Sequence, residues 1–154
     1  MSKEIREYDA NGNLIYVKHP DGFEQWYEYY ANGNMIHCRD SIGREAWKEY
    51  DTNGNLIYFK GPTGFEEWDE YDSNNNMIHS KDSEGYEVWN EYDANNNMIY
   101  SKDSNGEEAW YRYDTDGHEI YYKNSDGYEE CTEYDKNGNV IYYKDSDGLK
   151  YNVN

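Results

Sequence analysis

Between Glu7 and Trp26 the chain reads EYDANGNLIYVKHPDGFEQW: short runs in which apolar and polar residues alternate, cut by clusters of Asn, Gly, Asp and Pro. Alternation with period two between such clusters predicts strands joined by hairpin turns. The same punctuation excludes helices, because no stretch long enough for an ordinary helix escapes a Gly-, Pro- or Asn-rich turn. The pattern then recurs. Tyr8, Tyr29, Tyr50, Tyr71, Tyr92, Tyr113 and Tyr134 stand 21 residues apart, and a fixed period of this length signals a repeat architecture.

Aligned on that register, every unit carries an isoleucine, from Ile15 to Ile141, and a glycine, from Gly22 to Gly148. The glycine ends the segments HPDG, DSIG, GPTG and DSDG, as a type I turn closed by a left-handed residue requires. The other joint, DANGN, DTNGN, DSNNN or DTDGH, uses Asn and Gly for positive φ and Asp to bond its own backbone. Both joints are therefore hairpins, and the fold predicted is all-β: an antiparallel meander of about fourteen or fifteen strands, single-layered or curled into an open spiral. Residues 1–7 read as an N-terminal half-hairpin cap, 8–133 as six repeats and 134–154 as a seventh, capping repeat, in which GLKYNVN puts Lys150 and Asn152 where other units have Glu and Trp. Alternation sorts the faces. With Ile36 across from Trp47, one face is expected to carry Ile36, Glu45, Trp47 and Glu49, and the other Tyr29, Met35, His37 and Arg39.

Composition changes the picture in one respect. The chain of 154 residues has 20 Tyr and 5 Trp but few aliphatic residues, so a deep core is not expected. Its net charge of −19 would suit disorder, but disordered chains are poor in aromatics. Ordered, thin and acidic is the reading. Such a charge repels nucleic acid and anionic membranes and favours a basic partner. The N-terminal MSKEIREYD has no apolar signal region and no apolar run of 18 residues exists, so a soluble, cytoplasmic protein is expected.

The segments YDANGNLIYVKHPDG and YDTNGNLIYFKGPTG resemble the YD repeat of Rhs proteins and teneurins in the Tyr-Asp pair, the Gly three residues later, the apolar residue two after it, and the place of the following Pro-Asp-Gly or Asp-x-Gly turn at the same 21-residue period. The resemblance runs from Tyr8 to about Gly148 and implies strands wound into a spiral sheet or shell wall. The Arg that usually follows the Gly is here Asn13, Asn34, Asn55, Asn76, Asn97, His118 or Asn139, the strands are more acidic, and no toxin or self-cleaving segment lies beside them.

Candidate chemistry is sparse. His37 and His79 share a column two units apart, roughly 19 Å at a strand spacing of about 4.8 Å, too far to share a metal, and they read as replacements for Tyr. His19 and His118 lie in turns without an evident paired ligand. Cys38 and Cys131 fall in different columns and read as reduced thiols. Acidic turns such as DTDGHE lack the Gly and Glu positions of a calcium loop and read as Asx-turns. Carboxylate pairs such as Glu45 and Glu49 recur in most units, which does not suit a single catalytic acid and base. No enzyme, metal or cofactor is expected.

What remains is a surface. Glu24, Glu45, Glu66, Glu87, Glu108 and Glu129 form one ladder, Glu28, Glu49, Glu70, Glu91 and Glu133 a second, and between them Trp26, Trp47, Trp68, Trp89 and Trp110 form a column that breaks at Cys131. Aromatics set among acids suit a Lys- and Arg-rich protein, including a nucleic-acid-binding one whose polyanion the strip would mimic as an inhibitor. The alternatives are a solvated face of a structural spacer or shell fragment, and a saccharide- or choline-type site built from aromatic ladders. Uncovered edges and the Trp face also admit homodimers by edge or face pairing.

Overall fold

The structure, a computed structural model, describes residues 3–152. Among the described residues are fifteen strands and no helix, in one antiparallel sheet whose strand order follows the sequence. The strands are β1 (Ile5–Tyr8), β2 (Leu14–Lys18), β3 (Glu24–Tyr29), β4 (Met35–Asp40), β5 (Glu45–Tyr50), β6 (Leu56–Lys60), β7 (Glu66–Tyr71), β8 (Met77–Asp82), β9 (Glu87–Tyr92), β10 (Met98–Asp103), β11 (Glu108–Tyr113), β12 (Glu119–Asn124), β13 (Glu129–Tyr134), β14 (Val140–Asp145) and β15 (Lys150–Asn152). The chain divides into two compact units, Met1–Glu70 with Asp82–Glu84, and Tyr71–Lys81 with Gly85–Asn154.

In the first unit the hairpins are fixed by their turns. Asp51 N donates to Asn55 O at 2.9 Å and Gly54 N to Asp51 O at 3.2 Å, with Gly54 at φ 92°. The Asp51 carboxylate accepts from the backbone N of Asn53 and Asn55 and from Asn55 Nδ2, all within 2.9 Å. Those bonds hold its pKa below the usual carboxylate range, the Asn55 side chain contributing most. The second kind of turn uses Asp40, whose carboxylate accepts from Ile42 N and Arg44 N, each at 3.0 Å.

The second unit repeats both devices, with Asn96 at φ 67° in place of the usual glycine and Asp93 bonded to Asn97. It also shows a clamp between successive repeats. Ser104 N donates to Glu87 O at 2.8 Å, while Ser104 Oγ accepts from Glu87 N at 3.1 Å. Ser125 and Ser146 hold Glu108 and Glu129 in the same way.

The register corrects the faces expected from sequence. Trp47 stands opposite His37, not Ile36, and Glu45 stands opposite Arg39. Asp40 and Arg44 close a loop of three residues, Ser41, Ile42 and Gly43, and a three-residue hairpin with a left-handed glycine sets this register. A bulge then intervenes between the strands joined by the Asn-Gly type of turn, as in β5 and β6. Tyr50 pairs with Leu56 but Glu49 pairs with Tyr58, so Ile57 is the extra residue. Ile57 accordingly borders the same shallow depression as Glu49, Tyr58 and Trp68. Isoleucine does share the Trp face, as expected, but His37 and Arg39 share it too.

No deep core exists among the described residues: Val17, 4% exposed, is the one buried hydrophobic residue. Cross-strand neighbours on each face do the shielding, at roughly 0.2–1 kcal/mol per pair.

Candidate binding face

The proposed strip residues fall on one face of their strands, because Glu24, Trp26 and Glu28 alternate along β3, and Glu45, Trp47 and Glu49 along β5. In the first unit Trp26 lies between Tyr16 and Arg39, with ring centroids 5.7 Å apart on one side and the guanidinium 4.8 Å from the ring on the other. Trp47 stacks on His37 at 3.8 Å and stands opposite Lys60 on β6. Trp68 meets Tyr58 at 5.7 Å. In the second unit Trp89 stacks on His79 at 5.4 Å and faces Lys102, while Trp110 meets Tyr100 at 5.6 Å and faces Lys123. Trp47, Trp68 and Trp89 remain 44%, 40% and 39% exposed. Where Cys131 replaces Trp, its partner Tyr121 is covered by the Arg112 guanidinium at 4.9 Å.

The first acid ladder is answered within the sheet. Lys18 Nζ donates to Glu24 and Lys60 Nζ to Glu66 across their hairpins. Lys81, Lys102 and Lys123 stand 3.3, 3.0 and 2.7 Å from Glu87, Glu108 and Glu129. Glu45 stands opposite Arg39, with His37 Nε2 at 3.8 Å. These bonds raise the pKa of Lys18, Lys60, Lys102 and Lys123 and hold Glu24 and Glu66 low. Glu87 is held low first by His79 and then by Lys81. Burial, then the neighbouring glutamate, pushes the phenols of Tyr16, Tyr58 and Tyr100 up. Each exposed pair contributes little to stability.

The second ladder differs. Glu28 meets His37 Nδ1 at 3.2 Å, whereas Glu49 and Glu91 stand opposite Tyr58 and Tyr100 and have no Lys or Arg within ion-pair distance among the described residues. Glu70 occupies the same position of β7, and Glu133 stands opposite Tyr142. The face is thus banded: cation with acid, aromatic with aromatic, then acid.

The sequence reading assigned no role to the lysine column. Its signal was a lysine six residues before a glutamate across the hairpins that contain Gly22, Gly64, Gly85, Gly106 and Gly127, as in Lys60 and Glu66. It also missed the partner of His118, whose Nδ1 lies 3.0 Å from Asp114 Oδ2, with Asp116 close by. Asp114 Oδ1 already accepts from the backbone N of Asp116 and His118. Cys38 and Cys131 are both free thiols.

Fold and face together define an open all-β hairpin-repeat sheet with a banded aromatic surface. No family model and no curated protein matches the sequence. Among solved structures, the fold is similar to a chain of the Photorhabdus luminescens Tc holotoxin pore, with a TM-score of 0.75 at 17% identity over 97% of this chain and 9% of that one. Chains of the TcdB2–TccC3–Cdc42 and TcdB2–TccC3 structures give 0.75 and 0.74, each at 16% identity over 97% of this chain and 10% of theirs. At that identity the likeness shows the fold. It agrees with the hairpin-repeat architecture that the YD-repeat resemblance implied, and this chain spans about a tenth of the length of the chains it matches.

Proposed function

We propose that this chain is a non-enzymatic structural repeat, a spacer or wall segment. The observation that carries the proposal is the fold likeness over 97% of the chain to short stretches of much longer Tc toxin chains. The pairing of Lys with Glu and of Trp with Tyr, His or a cation supports it, since cross-strand contacts of these kinds help to hold a sheet together.

A second reading, that the face binds a basic protein by polyanion mimicry, is favoured by Glu49 and Glu91, which face tyrosines, and by the net charge of −19. Capture from host lysate at low and high salt separates the two. The structural reading expects no salt-sensitive basic partner, with Glu66→Lys and Glu87→Lys lowering the melting temperature by placing like charges opposite Lys60 and Lys81. A basic partner lost on raising salt and on Glu49→Lys with Glu91→Lys, in protein that still folds, would replace the structural reading with the binding one.

A further inference from the structure

Two neighbouring rows of side chains cross the second unit, each traced through its cross-strand partners. The first runs Glu91, Tyr100, Trp110, Lys123, Glu129 from β9 to β13. The second, one repeat on, runs Arg112, Tyr121, Cys131, Lys144, Lys150 from β11 to β15. Where the first row has glutamate the second has a cation, and Cys131 stands in place of tryptophan. The first row thus carries two acids and one cation, the second three cations and no acid, in a chain of net charge −19. Arg112 also departs from its own column, in which Glu28, Glu49, Glu70, Glu91 and Glu133 are all acids. Arg112, Lys144 and Lys150 are exposed, and none has a carboxylate within ion-pair distance among the described residues. Their contacts are aromatic: the Arg112 guanidinium lies 4.9 Å from the Tyr121 ring and Lys150 Nζ 5.5 Å from the Tyr142 ring. Glu129 is bonded to Lys123, and Glu133 stands opposite Tyr142.

Between the two rows lies an open depression of about 500 Å³, lined by Ile99, Trp110, Tyr111, Arg112, Tyr121 and Lys123. Its neighbour, of about 380 Å³, is lined by Glu91, Ile99, Tyr100 and Trp110. The neighbour has a carboxylate in its wall, whereas this depression has a guanidinium and an ammonium and no carboxylate. We infer that it binds a small organic anion, a flat ring carrying a carboxylate or a phosphate, with the ring against Trp110 and the oxyanion on Arg112. The planar fork of a guanidinium matches either oxyanion through two parallel N–H bonds. The volume falls in the range of small-molecule sites, and aromatic walls with a few convergent polar groups are their usual lining. Lys144 and Lys150 extend the positive field along the row. A long polyanion would meet the acidic remainder of the chain, while a small ligand stays within about one Debye length of these cations, roughly 8 Å at physiological ionic strength.

Titration of the whole chain with benzoate and with phenyl phosphate, followed at the indole N–H resonance of Trp110 by NMR, tests the inference. One or both should move that resonance saturably, and the tighter of the two tells carboxylate from phosphate. Benzyl alcohol, a ring without charge, and acetate and inorganic phosphate, charges without a ring, should each bind about tenfold more weakly or worse. Arg112→Glu restores the acid that its column carries elsewhere, so the fold should tolerate it, and it should weaken binding about tenfold or more. Arg112→Lys keeps the charge but loses the fork and should fall between. Lys136→Glu makes a similar change of charge at an exposed turn outside the row and should leave the affinity within about twofold. No saturable shift with either acid, an equal response to benzyl alcohol, or an Arg112→Glu variant that keeps its remaining resonances and binds no worse than Lys136→Glu overturns the inference.

Discussion

Asp51 does the work of an entire turn: its carboxylate accepts three N–H groups that would otherwise point at water from the tightest part of the hairpin. Asp9, Asp72, Asp93 and Asp135 repeat it, and in each the first cause of a lowered pKa is the Asn side chain four residues on. A carboxyl whose folded pKa lies below its unfolded value contributes stability above the unfolded value, near 3.9, that is lost as pH falls through the folded one. Melting temperature should therefore be insensitive to pH between about 7 and 5 on account of these groups and fall below about pH 4, and Asp51→Ala should lower it at pH 7, with the loss shrinking as pH falls below about 4. Glu119 has the opposite sign, since burial first and the Glu130 charge second push its pKa up. Ionisation then weighs on the folded state as pH rises past the unfolded value near 4.3. Glu119→Gln should raise the melting temperature at pH 7, with the gain fading towards pH 4. Thermal unfolding followed by dichroism checks both.

Two strands and their turn form the element on which everything else depends, and most of it was legible. Gly22, Gly43 and Gly64 recur at positions that need positive φ, and the structure puts them at 92°, 85° and 88°. The exact register was less legible, because alternation alone does not say which of two adjacent residues meets Trp47. The three-residue loop decides for His37, and the bulge at Ile57 reaims the strand that follows the Asn-Gly turn. The serine clamp was illegible for a different reason: it links Glu87 to a residue 17 positions away, which no local pattern reports. Ser104→Ala removes the acceptor for Glu87 N and should destabilise the protein by about 1 kcal/mol in urea unfolding. Cys131 interrupts the aromatic column opposite Tyr121. Cys131→Trp restores the pair found at Tyr100 and Trp110 and should stabilise by roughly 0.2–1 kcal/mol, provided Arg112 shifts from the Tyr121 ring.

Over the whole molecule, stability comes from many equivalent neighbours rather than from one core, since Val17 alone is a buried hydrophobic residue among those described. Repeat assemblies of this kind are approximately sums of unit and nearest-neighbour contributions. Composition announced this: the aromatic stock and the scarcity of aliphatic residues suit a thin sheet whose side chains cover one another. The candidate strip was legible as a set of residues sharing a face, but its charge balance was not. The ladder of Glu24, Glu66, Glu87, Glu108 and Glu129 reads as bare acid until the hairpin register brings a lysine to each.

The central claim, that the fold resides in interchangeable 21-residue units, is tested most directly by removing one. Deletion of residues 93–113 joins Tyr92 to Asp114, restores the Tyr-Asp step, and removes two strands, β10 and β11, so that alternation of direction is kept. The account predicts a folded, all-β protein with a cooperative unfolding transition, somewhat lower stability, and the same strand and aromatic dichroism bands scaled to its length. A deletion that leaves the chain unfolded or helical, or that lowers stability no less than an out-of-register deletion of half a unit, would contradict it.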